Sequence, residues 1–155
     1  MREKKCIYII ARISKDQHAW TDLVCSALFK EFNVFIPKDS NPWNISHKKL
    51  SQKIFNTDLK AMKKSSAALM LPEYGRDCAW EAGWYAGSGK PVIVYIDDQI
   101  EWLRDWMVKG GINFVLTFNP TTFNQLKKDP ILKHKKIIFL DYQEMLGATV
   151  KKILQ

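Results

Sequence analysis

Asp58, Asp77, Glu81 and Tyr8 are the side chains in this sequence whose types and spacing permit covalent chemistry without a metal. Over residues 47–64, Leu50, Ile54, Phe55, Leu59 and Met62 recur at helical spacing and form one apolar stripe. Asp58 lies one helical step from both Ile54 and Met62, so its carboxyl points inward. An inward carboxylate is costly unless it is paired or hydrogen-bonded. A structural acid bonded to a nearby amide or hydroxyl fits that position as well as a site acid does. Asp77 and Glu81 are spaced i,i+4 and project, with Trp84, from one face of a later helix. The helix dipole favours negative charge at such a start, but first-turn acids and Asp N-caps also occur for stability alone. Tyr8, in the first strand, adds a phenol. Converging on one pocket, these groups suit an anomeric carbon. One carboxylate attacks or stabilises an oxocarbenium-like centre, and another group manages the leaving group's proton.

Short apolar runs alternating with helical patterns must position these residues. The pattern predicts one doubly wound α/β domain over 1–155, flavodoxin- or Rossmann-like, with about five parallel strands and helices on both faces. Strands are expected at Cys6 to Ile10, Val34 to Pro37, Ala67 to Leu71, Pro91 to Ile96 and Asn113 to Phe118. The apolar run at Ile137 to Leu140 reads as a sixth strand or an extended connector. Helices are expected at Ala19 to Phe32 (with Leu23, Leu28 and Phe29 apolar), His47 to Lys64 with Ser46 as N-cap, Asp77 to Ser88, and Ile100 to Val108. A short helix after Asn119-Pro120 and a C-terminal one reaching Leu154 complete the chain, and Gly89 is placed to terminate the third helix. Ligands of open α/β sheets bind beyond the carboxyl ends of the strands. That directs attention to residues 11–15, 38–46 and 72–81 and to Asp97-Asp98.

The chain has 155 residues, 46% hydrophobic and 26% charged, with a formal charge of +8. This excludes disorder and permits an anionic partner without choosing one. The paired lysines are spread over several helices and read as solvated faces, so nucleic acid is not the expected partner. Cys6, Cys25 and Cys78 are widely spaced, as free thiols of a reducing compartment would be. The first apolar run stops before Arg12 without a cleavage pattern, and no run is long enough to span a membrane, so a cytoplasmic, membrane-free protein is expected.

Several signals fail on their own chemistry. Gly87-Ser88-Gly89-Lys90 resembles a phosphate loop, but Trp84 and Pro91 stand where a glycine and a hydroxyl residue are needed. His18, His47 and His134 are isolated, so no metal or other cofactor is implied. Cys78 sits near a helix start, where a thiol can be activated, but has no obvious base. Trp43 and Trp80 are both rings that could stack on a base, but Trp80, about 100° around the helix from Glu81, is expected in the core instead, which leaves Trp43 as the candidate. Trp102 and Trp106 are expected in core or a subunit contact.

Taken in order, the strand tyrosine, Asn56-Thr57-Asp58-Leu59, and the run from Asp77 through Glu81-Ala82-Gly83-Trp84-Tyr85-Ala86 to Gly89-Lys90-Pro91 resemble the nucleoside 2-deoxyribosyltransferase family. The resemblance spans roughly Ile7 to Asp98. It implies a flavodoxin-like sheet, cleavage of the N-glycosidic bond of nucleosides or nucleotides, and transfer of the sugar to another base or to water. It also implies a homo-oligomer. Glu81 would then be the nucleophile, Tyr8 would orient or activate it, Asp58 would contact and help protonate the base, and Asp77 would take the second acidic position. Apart from that resemblance, Arg12, Trp43 and Gly75 are expected to contact substrate. The family often places that second acid further upstream, and its first strand usually leads into a glycine-containing turn. Here Ala11-Arg12-Ile13 follows, and Arg12 could meet a phosphate. These departures keep a non-catalytic nucleotide-binding domain of the same fold as the alternative, with a basic nucleic-acid-binding protein behind it.

Overall fold

In the computed structural model, residues 3–40, 47–97 and 103–155 are described. The continuous apolar runs become strands buried from both sides. β1 (Cys6–Ile10), β3 (Ala67–Met70) and β4 (Val92–Tyr95) are almost wholly inaccessible, as strands covered by helices on both faces must be. With β2 (Asn33–Phe35), β5 (Phe114–Thr117) and β6 (Lys136–Phe139) they form a six-stranded, all-parallel sheet of order β2-β1-β3-β4-β5-β6. The apolar run near residue 137 is therefore a sixth strand. Its signal is weak because it lies at an edge: Lys136 and Phe139 are exposed and the two isoleucines between them only half-buried.

The helices α1 (His18–Ser26), α2 (Pro37–Ser40), α3 (His47–Lys64), α4 (Arg76–Gly87), α5 (Trp106–Gly111) and α6 (Pro120–Leu126) connect these strands, and α7 (Leu146–Ile153) follows the last of them. Alternate residues of β1 serve opposite layers. Ile7 and Ile9 pack with Val24 and Cys25 of α1 and with Leu146 and Val150 of α7. Tyr8 and Ile10 face Met62 of α3 and Cys78, Ala82 and Tyr85 of α4. The helix α7 lies tightly on the turn after α1, where a Cβ on Gly147 would collide with the Ala27 carbonyl oxygen.

Three helix boundaries differ from expectation. The first helix ends at Ser26, whose hydroxyl bonds back to the Leu23 carbonyl at 2.6 Å, a local bond that competes with helix continuation. Leu28 is buried in the turns that follow, while Leu23 and Phe29 are exposed. The second strand stops at Phe35 rather than running to Pro37, which instead starts α2, where its missing N–H costs nothing. The Trp-rich helix expected over 100–108 is instead α5. It begins after the extended residue Asp105, held by the Tyr74 hydroxyl, and takes in Gly110 and Gly111 rather than stopping before them. Trp106 is 78% exposed on it, not buried. Ser46, Asp98 and Trp102 lie outside the described residues.

Two features fix α3 and α4 against the sheet. Gly89 adopts φ 69° after α4, a left-handed conformation that glycine takes without a Cβ penalty. It brings Lys90 back under the end of α3. There Lys90 Nζ donates to the carbonyls of Met62, Lys63 and Ser65 at 3.0, 2.7 and 2.7 Å, satisfying acceptors that a helix end leaves open.

Candidate active site

The strand order reverses between β1 and β3, so their carboxyl ends open the crevice in which such sheets hold ligands. The helices α3 and α4 wall that crevice. Between them lies a cavity of about 430 Å³ lined by Asp58, Leu59 and Met62 from α3 and by Asp77 and Glu81 from α4, with Phe55 and Trp80 also on its walls. The two distant acids of the sequence thus share one space.

Glu81 is the best-built carboxyl of the three. The Tyr8 hydroxyl, rising from the floor on β1, donates to Glu81 Oε1 at 2.6 Å. The Tyr8 ring is held on one side by its register neighbour Phe35, stacked at 5.5 Å and 14°. On the other side it meets Tyr85 at 5.9 Å. The Tyr85 phenol bonds the buried Ser65 hydroxyl, which donates to the Met62 carbonyl at 2.8 Å. The donor aimed at Glu81 is therefore fixed in place before any ligand arrives. Burial pushes the Glu81 carboxyl up to about 7, opposed by the Tyr8 hydrogen bond and reinforced by the charges of Asp58 and Asp77. Burial, and then the charge of Glu81, push the Tyr8 phenol upward, so it stays a donor.

Asp58 is half-buried, and among the described residues its Oδ1 has no hydrogen-bond partner. A buried structural acid would be satisfied by an amide or hydroxyl; this oxygen is not. Burial alone raises its carboxyl to about 6. Asp77 is exposed at the cavity edge in the first turn of α4, and Gly75, not Asp77, is the N-cap residue.

The remaining candidates stand elsewhere. The Arg12 guanidinium meets the Glu73 carboxylate at 3.6 Å on the surface and does not line the cavity. Gly75 is exposed, also off the lining. Trp43 lies outside the described residues. Cys78 is buried and its thiol pushed up to about 11 by burial, so the helix start does not activate it. Trp80 is the clearest correction: it is 52% exposed on the cavity wall rather than in the core. One face of α4 is already filled by Cys78, Ala82 and Tyr85, which turns the indole outward. Phe35, Ser65, Tyr85 and Lys90 escaped sequence reasoning as site supports. Only the apolar pairing of β1 with β2 could have signalled the first of them. Among the described residues, no group of three or more His, Cys, Asp or Glu side chains could hold a metal ion, and no helix is long and apolar enough to cross a membrane.

A family model described as nucleoside 2-deoxyribosyltransferase matches residues 7–152. The chain belongs to that family. The match runs well past Asp98, where the legible motifs end, and so takes in β5, β6 and most of α7. Among solved structures, a 2-deoxyribosyltransferase from the psychrotolerant bacterium Bacillus psychrosaccharolyticus superimposes with a TM-score of 0.57 at 17% identity, covering 87% of this chain and 99% of its own. A conserved protein from Enterococcus faecalis V583 gives 0.54 at 16% identity, covering 97% and 99%. At these identities the likeness is one of fold. No curated protein matches the chain.

Proposed function

We propose that this deoxyribosyltransferase-family chain cleaves the N-glycosidic bond of a nucleoside by covalent catalysis at Glu81. The observation that carries the reading is the fixed Tyr8–Glu81 hydrogen bond in a cavity shared with Asp58, whose Oδ1 has no partner among the described residues. Near neutrality, two carboxyls with values of about 6 and about 7 hold roughly one proton between them as a coupled pair. The Tyr8 O–H rewards ionisation at Glu81. That bond is already counted in the Glu81 value, so before substrate binds the shared proton rests mainly on Glu81; the reaction requires substrate binding to leave Glu81 ionised and the proton on Asp58, beside the departing base.

In the first step a Glu81 carboxylate oxygen bonds to the anomeric carbon as the carbon–nitrogen bond breaks. The base leaves with that bonding pair and takes the Asp58 proton on a ring nitrogen. In the second step a new base or water attacks the anomeric carbon, the glycosyl ester breaks, and Glu81 leaves as carboxylate. The proton of the incoming nucleophile passes to Asp58, restoring the starting state. Tyr8 strengthens the charge on Glu81 before attack and after release, and Asp77 at the cavity edge supplies further polar contact to the sugar or base.

Incubation of a nucleoside panel with and without acceptor base, separated by chromatography, tests this. Wild type releases or exchanges base, and Glu81→Ala does neither. Equal behaviour of the two proteins on every substrate would sink the proposal.

A further inference from the structure

Two rings stand at the cavity that the acid chemistry does not use. Trp80 immediately precedes Glu81 on α4, and Phe55 precedes Asp58 by about one turn on α3. Their rings meet across the two helices, with centroids 6.0 Å apart and planes at 55°. Both remain largely open, 52% and 46% exposed, although both line the cavity. We infer that Trp80, backed by Phe55, is the stacking platform for the planar base of the substrate.

The inference rests on the nucleoside reading of the cavity and deepens it by assigning base affinity to a surface separate from the bond-breaking groups. Among the described residues, the lining beyond its three acids carries one hydroxyl side chain, Ser51, and no amide or cationic side chain that could read a base edge. Recognition then falls on the exposed rings together with Asp58. Stacking accepts any planar base, because every base has a π-face. Exchange needs this tolerance: the leaving base and the incoming one occupy the same place in turn, and one ring surface serves both. An edge-reading site would hold one of them and reject the other.

Calorimetric titration of the full chain with free adenine, with 2-deoxyribose as the control, reads the platform without turnover. Wild type binds adenine; Trp80→Leu weakens that binding about tenfold, and Trp80→Phe restores most of it. Phe55→Leu has a smaller effect in the same direction. Glu81→Gln binds adenine as wild type does while losing turnover. That variant separates the platform from the chemistry: adenine binding that depends on Trp80, in a protein that cleaves no nucleoside, would retain the platform and discard the catalytic reading. Absence of adenine binding to wild type at millimolar concentration would overturn the inference, as would unchanged affinity in both Trp80→Leu and Phe55→Leu. A change of molar mass in Trp80→Leu by light scattering, with adenine affinity unaltered, would also overturn it by making the indole a subunit contact.

Discussion

Replacing Asp58 by Asn should stabilise the protein above neutral pH and leave its stability unchanged in acid. Burial pushes the carboxyl up to about 6 in the fold from its ordinary value of 3.8. The sign follows from proton binding. Between those two values the native state holds a proton that the unfolded chain has already released, so wild-type stability falls as pH rises. The loss is complete above about pH 6 and absent below about pH 4. Taken in full, a rise of this size is worth about 3 kcal/mol. The group is only partly buried, and solvent screening brings the expectation to about 1–2 kcal/mol. For a chain of this length that is a Tm increase of about 2–8 °C for Asp58→Asn at pH 8. Melting curves by circular dichroism at half-unit steps from pH 4 to pH 8 would show the two proteins together at the acid end and diverging upward. Lower stability of the variant at pH 8 would refute the reasoning, because it would mean that the carboxylate has a stabilising partner and is a structural acid. An equal gain at every pH would refute it too, by tracing the effect to packing.

Other consequences are as direct. Tyr8→Phe keeps the ring between Phe35 and Tyr85 but removes the O–H that lowers the Glu81 carboxyl. The acid limb of the kcat/KM profile should move to higher pH, with a rate loss of about 10- to 100-fold; an unmoved limb would deny Tyr8 its role. Lys90→Met removes three bonds to the end of α3 and should cost about 1–3 kcal/mol, seen as a Tm several degrees lower with kcat near wild type at low temperature. A large kcat loss in the folded variant would place Lys90 in the chemistry instead.

How far the sequence reveals the molecule depends on where each residue lies. The strands β1, β3 and β4 are legible because burial on both faces demands unbroken apolar runs. The edge strand β6 needs no such run and is correspondingly faint. Asp58 is legible because an acid in an apolar stripe violates the local pattern, whereas an acid near a helix start is ordinary, and Glu81 stands out only through the family-like run it begins. Trp80 is not legible: an indole beside a core-facing helix position reads as core, and only the filling of that core by Cys78, Ala82 and Tyr85 shows otherwise. Arg12 is similar in kind. Its place after β1 suggests an anion, but its guanidinium turns to Glu73, six residues from the cavity helix's Ala79 and invisible as a partner in sequence. The pair Gly110-Gly111 reads as a helix breaker, yet in α5 it occupies the last turn.

The central claim is a bond between a sugar and one carboxylate. Intact-mass spectrometry after incubation with a slow 2-fluoro nucleoside analogue, followed by peptide mapping, tests it most directly. The account predicts a single added glycosyl mass on the peptide containing Glu81, discharged when an acceptor base is supplied and absent in Glu81→Gln. Turnover of the nucleoside with no such adduct, or an adduct on another residue, would contradict it.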